Sequence, residues 1–551
     1  MGFWFEMDKQ SRRGMAGNLK TRSNGNRFVT YFVLVGLLIP SFACSNIYFD
    51  PNDLKPVEVR IGGNNPAPQN TPGELPTGPT GGGLSTPLPT MPIPLPTTTR
   101  INPTPGIIPT QSGTTAPPYL YNAQAGDSLV AVAFRFGVDP SEITSPEKIP
   151  SEGLINPGQL LMIPKRLGST LPNTPLIPDS EIIHSPSAIN FDTDKFVLAA
   201  GGHLAGFKEY LAAGWHTGAQ VIRKVALDMS VNPRILLGLL EYQSHWVYGK
   251  PTNLAEWDYP MGNVEFDRKD LYLQCMWASQ ALFKGYYGWR EGRLKEIKFA
   301  DGKIARLAPE LNAGSVALIY FFAQMNSLEK VNSILYSSDG FPARYSKMFG
   351  DPWQRAQAVE PLFPNNFTQP TLELPYLPGK PWSYTGGPHP AWGEGPLAAI
   401  DFAPPSAAPG CNPTHLFVTA SAPGLVVRSG NGVVVLDLDG DGNEQTGWNL
   451  LYLHIATQNR VEVGKWIDVN QNIGHPSCEG GFSTGTHVHF ARKYNGEWIP
   501  ADGPLPFVLS GWRVHNGEKP YLGTMVKDNQ VATASTSSSV ETLVTRPPIT
   551  R

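Results

Sequence analysis

Short apolar stretches bounded by glycine and polar residues dominate the last third of the chain. Residues 424–428 and 432–437 are such runs, rich in valine and leucine, and this pattern is typical of β-strands joined by tight turns. Similar short strands are predicted on both sides of them. Residues 384–526 are therefore predicted to form a β-rich domain, either an open barrel or a sandwich.

The middle of the chain has the periodicity of amphipathic helices instead. Apolar residues recur there at positions i, i+3, i+4 and i+7, namely Ile222, Val225, Ala226 and Met229. Asn232 and Pro233 then supply an N-cap and a first-turn proline for a second apolar helix. Residues 188–358 are predicted to be mostly α-helical.

A small unit precedes the helices, at residues 119–166. Gly126, Asp127 and Ser128 make a turn and an N-cap before an apolar helical run, and residues 156–159 make a turn before a short closing strand. These two motifs resemble LysM domains, which are βααβ modules that bind glycans containing N-acetylglucosamine, such as peptidoglycan. The resemblance implies a glycan-binding module, and the alternative is a structural mini-domain without glycan affinity.

Proline-rich segments separate these parts. Residues 44–118 are dominated toward their end by proline, threonine and glycine, which predicts an extended tether. Two shorter proline-rich stretches, 171–186 and 361–381, divide the remainder into three units, and the Ser/Thr-rich tail 531–551 is predicted to be disordered. The fold class is a multidomain α+β protein with a βααβ module, a helical domain and a C-terminal β domain.

Composition bears mainly on partners and compartment. A net charge of −3 gives no reason to expect nucleic-acid binding. Basic residues before Phe28 are followed by sixteen uncharged residues that end at Ala43, which predicts a secretory signal peptide over residues 1–43. The next residue, Cys44, resembles the acylated cysteine of bacterial lipoproteins. The chain is expected outside the cytoplasm, in the cell envelope or secreted, and it would meet a membrane only through a lipid anchor at Cys44.

Cysteine is rare, with four residues in 551. Cys411 and Cys478 flank the same glycine-rich region, whereas Cys275 lies among helical residues. In an oxidising compartment the first two could form a disulfide, and this pairing is a hypothesis.

His487 and His489 are the most informative pair in the chain. In a β-strand, residues i and i+2 point to the same face, so the two imidazoles would lie side by side. The simple alternative is a polar cross-strand pair on a solvent-exposed sheet face. Partners are offered by His389, Asp401 and His454, each on a separate segment. With His389, Asp401 and His489 as ligands, zinc would have three protein donors and one open position, which is the arrangement of catalytic zinc.

These segments resemble the lysostaphin-type zinc endopeptidases, which cut peptidoglycan cross-bridges. The family's Tyr-x-His-Leu strand is matched by residues 452–455, where Ile455 stands in the place of the leucine, and its Gly-x-His-x-His-Phe strand by residues 485–490. The first ligand usually lies four residues before the aspartate, and that position here is Leu397. His389 lies twelve residues before Asp401, a spacing that resembles the β-lytic branch. The resemblance implies zinc ligands His389, Asp401 and His489, with His454 and His487 acting on the catalytic water. If this alignment is wrong, the domain is a pseudoenzyme.

Glu241 is a second candidate for catalysis. It lies near the end of an apolar helix and is followed by Ser244, a pattern similar to lysozyme-like lytic transglycosylases, in which such a glutamate is the general acid. The usual Gly-Leu-Met-Gln motif of that family has no clear counterpart here. The alternative is a helical domain that only binds or spaces.

An acidic run at residues 437–444 offers a second metal site. Asp437, Asp439 and Asp441 resemble the opening of a calcium-binding loop, but Trp448 occupies the twelfth position, where an EF-hand has its bidentate glutamate. An acidic hairpin tip is the alternative, and the sequence favours it.

Together these features predict an exported cell-wall hydrolase that binds peptidoglycan and cleaves its peptide bonds with a zinc-activated water. One alternative is a non-catalytic envelope protein that binds peptidoglycan and localises or activates another hydrolase. Another is glycan-strand cleavage through Glu241. The sequence does not identify any protein partner, so protein partners are left unknown.

Overall fold

Residues 117–212, 214–405, 410–546 and 548 are described by a computed structural model. The predicted signal peptide, and the predicted tether up to residue 116, lie outside these residues. Within them, no helix is long and apolar enough to cross a bilayer. We refer to residues 119–166 as the small unit, to 188–358 as the helical part and to 381–546 as the sheet part, and all three belong to one structural unit.

The small unit contains two antiparallel strands and one α-helix. Its elements in chain order are β1 (Tyr119–Asn122), α1 (Leu129–Phe136), a 3-10 helix (Pro140–Glu142) and β2 (Leu160–Ile163). Ser128 accepts a hydrogen bond from the N–H of Ala131, and Gly137 ends α1 in a left-handed conformation, as expected for N-cap and C-cap residues. The predicted βααβ order is wrong in one respect, because the second helix is only this 3-10 turn. Prolines at 146, 150 and 157 remove backbone donors from the segment that follows it.

The helical part matches its prediction in character. Its α-helices are α2 (Thr193–Ala200), α3 (His203–Gly206), α4 (Gly218–Met229), α5 (Pro233–Ser244), α6 (Leu254–Asp258), α7 (Leu271–Arg290), α8 (Ala313–Ala323), α9 (Leu328–Tyr336), α10 (Phe341–Phe349) and α11 (Pro352–Ala356). Two small hairpins accompany them, β3 (Lys208–Leu211) with β4 (Gly214–Thr217), and β5 (Glu296–Lys298) with β6 (Ile304–Arg306). Asn232 caps α5 by accepting the N–H of Arg234, and Pro233 occupies the first turn.

The sheet part confirms a sheet-rich C-terminal domain. Its strands are β7 (Pro381–His389), β8 (Ala399–Ala403), β9 (Val418–Thr419), β10 (Gly424–Gly430), β11 (Val433–Asp437), β12 (Trp448–Leu453), β13 (Trp466–Ile467), β14 (Asn472–Gly474), β15 (Val488–Tyr494), β16 (Glu497–Trp498), β17 (Val508–Leu509), β18 (Trp512–Asn516), β19 (Gly523–Lys527), β20 (Gln530–Thr533) and β21 (Leu543–Thr545). A nine-stranded sheet has the order β13-β10-β11-β12-β15-β8-β7-β21, with β16 beside β15. A second sheet has the order β17-β18-β19-β20, and β9 pairs with β14.

The large sheet is covered on both faces. On one face, Val433, Val435 and Leu451 pack into the same hydrophobic core as the helices. On the other face, Val434 and Leu436 pack into a core shared with the second sheet. This alternation follows from the period of two along a strand, and it explains why these strands are apolar at successive positions.

The proline-rich segments do not separate the parts as the sequence predicts. In 171–186, Leu176, Ile177, Ile182 and Ile183 are buried in the core that joins helices and sheet. Arg290 adds a polar connection, because its guanidinium pairs with Asp179 at 2.9 Å and Glu497 at 3.2 Å and donates to the carbonyl of Ala125 in the small unit. The helical and sheet parts therefore form one packed body.

The predicted disordered tail is also corrected by the structure. Strand β21 pairs antiparallel with β7 at the edge of the large sheet, and Val544 is fully buried. The carbonyl of Thr545 accepts a hydrogen bond from the indole of Trp512. Although serine and threonine dominate the segment's composition, a few β-branched residues and a free strand edge are sufficient to order it up to Arg546.

Trp498 lies at the contact between the helical and sheet parts, so its substitution tests whether the two parts unfold together. Its side chain is buried, its indole N–H donates to the carbonyl of Met229 at 3.0 Å, and its backbone N–H donates to the Tyr287 hydroxyl at 3.0 Å. We expect Trp498→Ala to lower the free energy of unfolding by about 3–5 kcal/mol, because a large buried side chain is lost. Denaturant unfolding followed by circular dichroism should show one transition for both parts.

The matched control is Trp215→Ala, since Trp215 is 70% exposed on the β3–β4 hairpin. It should change the stability by about 1 kcal/mol or less. Two separate transitions, of which Trp498→Ala shifts only one, would contradict a shared core.

Candidate metal centre

Three strands bring the predicted metal ligands together. Strands β8 and β15 pair antiparallel with Asp401 directly opposite His489. On the other side of β8, irregularities in the pairing with β7 place His389 opposite Ala399. Side chains of directly paired residues lie on the same face of a sheet, so Asp401 and His489 converge by register alone.

The ligand atoms lie close to one another. Asp401 Oδ1 is 3.3 Å from His389 Nε2 and 3.3 Å from His489 Nδ1, and the two ring nitrogens are 2.9 Å apart. All three residues are buried. The wide His389–Asp401 spacing in the sequence therefore does not prevent the expected cluster from forming.

Hydrogen bonds behind the imidazoles set which nitrogen faces the cluster. His389 Nδ1 lies 2.8 Å from the carbonyl oxygen of Gly387, and His489 Nε2 lies 3.0 Å from that of Ala391. A carbonyl accepts only, so each of these nitrogens carries the N–H and each neutral ring presents a lone pair on its other nitrogen.

A cation fits this arrangement. Among the described residues Asp401 Oδ1 has no hydrogen-bond partner, although it is buried, and it lies within 4.8 Å of the two ring nitrogens. Three converging acceptors in a buried site require a positive charge between them. Two imidazole nitrogens and one carboxylate are a ligand set that suits zinc, and they leave a coordination position for water.

The protonation states agree with this role. Burial alone would raise the pKa of Asp401, but the neighbouring His389 and His489 hold it well below its usual range, so the carboxylate stays ionised. Burial lowers the pKa of His489 and keeps this ring neutral. Burial also opposes the charged form of His389, but Asp401 outweighs it and raises the pKa. Without a metal, His389 can hold a proton where a cation would lie.

His454 and His487 lie beside the cluster. Their ring centroids are 4.5 Å apart, and His487 Nε2 is 3.8 Å from Asp401 Oδ1. Each Nδ1 lies against a backbone carbonyl, at 2.8 Å from Glu479 for His454 and at 2.7 Å from Gly485 for His487. In both rings Nε2 is therefore the nitrogen that can exchange a proton with a substrate or water.

The backbone around His454 is unusual. Its φ of +66° is rare for a residue with a side chain. Its carbonyl accepts the N–H of Ser477 at 2.6 Å, which holds this conformation in place. Burial, and secondarily the adjacent His487, lower the pKa of His454 to about 3, so this ring is neutral.

The disulfide hypothesis is confirmed. Cys411 and Cys478 are bonded, and Cys275 is buried and free. The bond links a loop that contacts Thr486, whose N–H donates to the carbonyl of Gly410 at 3.1 Å, to the segment that follows His475. It therefore restrains the glycine-rich loop that precedes His487.

Two features of the centre have no signal in the sequence. Tyr521, in the turn after β18, stacks on the His389 ring with centroids 4.1 Å apart, and its N–H donates to the carbonyl of Pro388. The loop after His389 is supported by the helical part, since Gly393 lies close to the side chains of Met229 and Met276. Ala391, whose carbonyl orients His489, is in the same loop.

Glu241 is not brought to the cluster. At the end of α5, its carboxylate accepts the backbone N–H groups of Val247 at 2.9 Å and Tyr248 at 3.0 Å, and lies 3.8 Å from the His245 ring. These contacts hold the loop that follows the helix. The carboxylates of Asp437, Asp439 and Asp441 form a second, separate group at the end of β11.

Comparison with known proteins finds peptidases among those to which this chain is similar. The family model described as "LasA, N-terminal domain" matches residues 175–362, which span the helical part. Protease LasA of Pseudomonas aeruginosa is 26% identical over 351 residues, covering 59% of this chain and 75% of the relative. The beta-lytic metalloendopeptidase of Achromobacter lyticus is 29% identical over 152 residues, covering 26% of this chain and 37% of the relative.

A solved structure titled as the M23 metalloprotease pseudoalterin, from the deep sea, is similar with 23% identity and a TM-score of 0.26. The match covers 30% of this chain and 96% of that one. By sequence, the chain is similar to LasA and to the beta-lytic metalloendopeptidases. This relation supports a peptidase, and a lysozyme-like helical domain gains no support from it.

Zinc retention should depend on the three converging residues. We expect full-length protein to hold one zinc per chain after dialysis, and His489→Ala to lose it, because two ligands bind zinc far more weakly than three. Element analysis measures the content. His515→Ala is the matched control, since His515 is a half-exposed histidine of β18 whose ring lies 3.9 Å from Asp502. His454→Ala should also retain zinc. Full zinc content in His489→Ala would contradict the assigned ligands.

Proposed function

We propose that this protein is an exported zinc endopeptidase that cleaves peptide bonds in peptidoglycan. The observation that carries the proposal is the convergence of His389 Nε2, Asp401 Oδ1 and His489 Nδ1, three buried potential metal ligands that lie within 4.8 Å of one another. The similarity to LasA and the beta-lytic metalloendopeptidases supports peptide bonds as the target. Peptidoglycan as the substrate rests on the resemblance to lysostaphin-type enzymes and on the LysM-like motifs.

His389, Asp401 and His489 would hold the zinc ion. When bound, zinc lowers the pKa of a coordinated water toward neutrality and polarises a carbonyl oxygen. The chain's own groups handle the protons. His454 Nε2 carries a lone pair in the neutral ring, so it can accept a proton from the attacking water and later donate it to the leaving amine. His487 Nε2 lies beside Asp401, and when its ring is protonated this nitrogen can donate a hydrogen bond to the oxygen that becomes negative during attack.

Export is supported by two features. The signal-peptide pattern of residues 1–43 predicts secretion, and the Cys411–Cys478 disulfide is typical of an oxidising compartment. Both lipid anchoring at Cys44 and release as a soluble protein are compatible with these features.

The small unit would bind the glycan strands. Gln124, just before its first LysM-like turn, and Pro157 of the second turn line a cavity of about 360 Å³. The helical part borders this cavity on the other side with Arg290, Glu310 and Trp353. This volume lies in the range of small-ligand sites. Polar groups and a partly exposed indole are the components that recognise a sugar ring, through hydrogen bonds and stacking.

The histidines and Glu241 can be assigned separate activities. With purified peptidoglycan, we expect zinc-loaded protein to release new amino groups, and His454→Ala to lower that rate by roughly 100-fold or more while keeping its zinc, because a proton-transfer group is lost. The readouts are new amino ends and new reducing sugar ends, measured on the same digests.

Glu241→Gln is the control in this experiment and should leave the release of amino groups unchanged. Reducing ends that disappear in Glu241→Gln would instead support glycan-strand cleavage. If zinc-loaded protein releases no amino groups, the non-catalytic envelope protein is the better account.

Glycan binding can be tested without digestion in the His489→Ala background. We expect Trp353→Ala to weaken binding of a soluble N-acetylglucosamine oligosaccharide by roughly 2- to 12-fold, the equivalent of about 0.5–1.5 kcal/mol for a lost ring contact. Isothermal titration measures the affinity. Trp257→Ala is the control, because Trp257 is 50% exposed and lies outside the cavity. Equal affinity in wild type and Trp353→Ala would exclude this cavity as the binding site.

A further inference from the structure

The acidic hairpin between β11 and β12 contains a second group of converging acceptors. The carboxylate oxygens of Asp437, Asp439 and Asp441 lie within 4.8 Å of one another. Asp437 is fully buried, and although its Oδ2 accepts the N–H of Gly442 at 2.9 Å, its Oδ1 has no partner among the described residues. In an ordinary acidic hairpin tip the carboxylate oxygens contact solvent, so a buried carboxylate oxygen without a hydrogen-bond donor is not expected there.

A fourth oxygen lies across the hairpin. Asn449 pairs directly with Asp437 in the β11–β12 register, and its side chain is also fully buried. Its Nδ2 donates to the carbonyl of Thr446 at 2.7 Å, which fixes the orientation of the amide. Its Oδ1 then has no partner among the described residues. Two buried oxygens without donors thus lie on the same face of one strand pair.

The surrounding charges do not compensate this group. In the described part of the chain, none of the three aspartates forms an ion pair. Two basic residues lie on the neighbouring strands, Arg428 on β10 and Lys493 on β15. Both pair with Glu444, at 3.1 and 3.2 Å, and not with these aspartates. Burial, together with Asp439 beside it, raises the pKa of Asp437 to about 7, as expected when like charges share a buried site.

The loop backbone is shaped to keep the carboxylates together. Asp439 Oδ1 accepts the N–H of Asp441 at 3.3 Å, and Asp441 Oδ1 accepts that of Asn443 at 2.8 Å. The intervening glycine, Gly440, has a φ of +73°, and Gly442 has a φ of +87°, a conformation that other residues adopt at a cost. In this tightly turned loop the carboxylates of Asp439 and Asp441 lie within 4.8 Å of that of Asp437.

We propose that Asp437, Asp439, Asp441 and Asn449 bind a calcium ion at a site separate from the zinc centre. All four ligand atoms are oxygens, which suits a hard cation. Calcium accepts an irregular arrangement of oxygens, whereas magnesium requires a nearly octahedral one, so this set suits calcium better. The twelfth loop position, which holds the ligating glutamate of an EF-hand, is Trp448 here and offers no oxygen. Asn449, on strand β12, offers one in its place. The ion joins the two strands at the end of the hairpin remote from His454, so its effect is on stability.

The test uses zinc-loaded, full-length protein and calcium chloride as the probe. We expect calcium to raise the melting temperature of the wild type, and the double variant Asp439→Asn with Asp441→Asn to weaken calcium binding by at least ~10-fold, because two charged ligands become neutral. Calorimetric titration measures the affinity. Asp528→Asn is the matched control, an exposed aspartate at the β19–β20 turn, and should keep the wild-type response.

Two further variants separate the outcomes. Asp437→Asn should melt above the wild type in the absence of calcium, since a buried like charge is removed, and should lose the calcium response. His489→Ala should keep the calcium response although it loses zinc. The proposal is overturned if calcium causes no shift in the wild type, if the double variant responds like the wild type, if magnesium acts as strongly as calcium, or if His489→Ala abolishes the effect.

Discussion

The antiparallel register of β8 with β15 is the constraint on which the metal centre depends. It sets Asp401 against His489, and a slip of one residue would turn one of these side chains to the opposite face of the sheet. Burial of both faces fixes that register: Ala399 and Ala491 face the helices, whereas Ile400 and Phe490 face the second sheet. The helical part therefore contributes to the centre through the packing that prevents a slip, and through the loop whose Ala391 carbonyl orients His489.

The part of the site that could be predicted from sequence is the part that is local. His487 and His489 are two residues apart near a strand, so they reach one region whatever the rest of the chain does, even though the strand itself begins only at Val488. The position of His389 was harder to predict, because the irregular pairing of β7 and the length of the following loop decide where its ring lies. Tyr521 could not be predicted at all, since its stacking on His389 depends on how the β18–β19 hairpin packs against β7.

The fold shows the same division between local and long-range causes. Capping by Ser128 and Asn232 is determined by neighbouring residues and was predictable. The proline-rich segment around Leu176 and the Ser/Thr-rich tail are ordered against the prediction, because composition indicates only how a segment behaves in isolation. Their order comes from partners far away in sequence, helix α8 and strand β7 respectively. For such segments, a few buried residues such as Ile177 or Val544 outweigh the average composition.

Both candidate cation sites follow from one physical rule, which is that buried acceptors need donors or a positive charge. The donor atoms then distinguish the ions. At the His389 centre two imidazole nitrogens favour a borderline metal such as zinc, and hydrogen bonds to Gly387 and Ala391 prepare the rings for it. At the β11–β12 hairpin the donors are oxygens alone, which favours a hard cation. The two ligand sets therefore differ in chemistry and lie on separate elements, so an ion that fills one site leaves the acceptors of the other uncompensated.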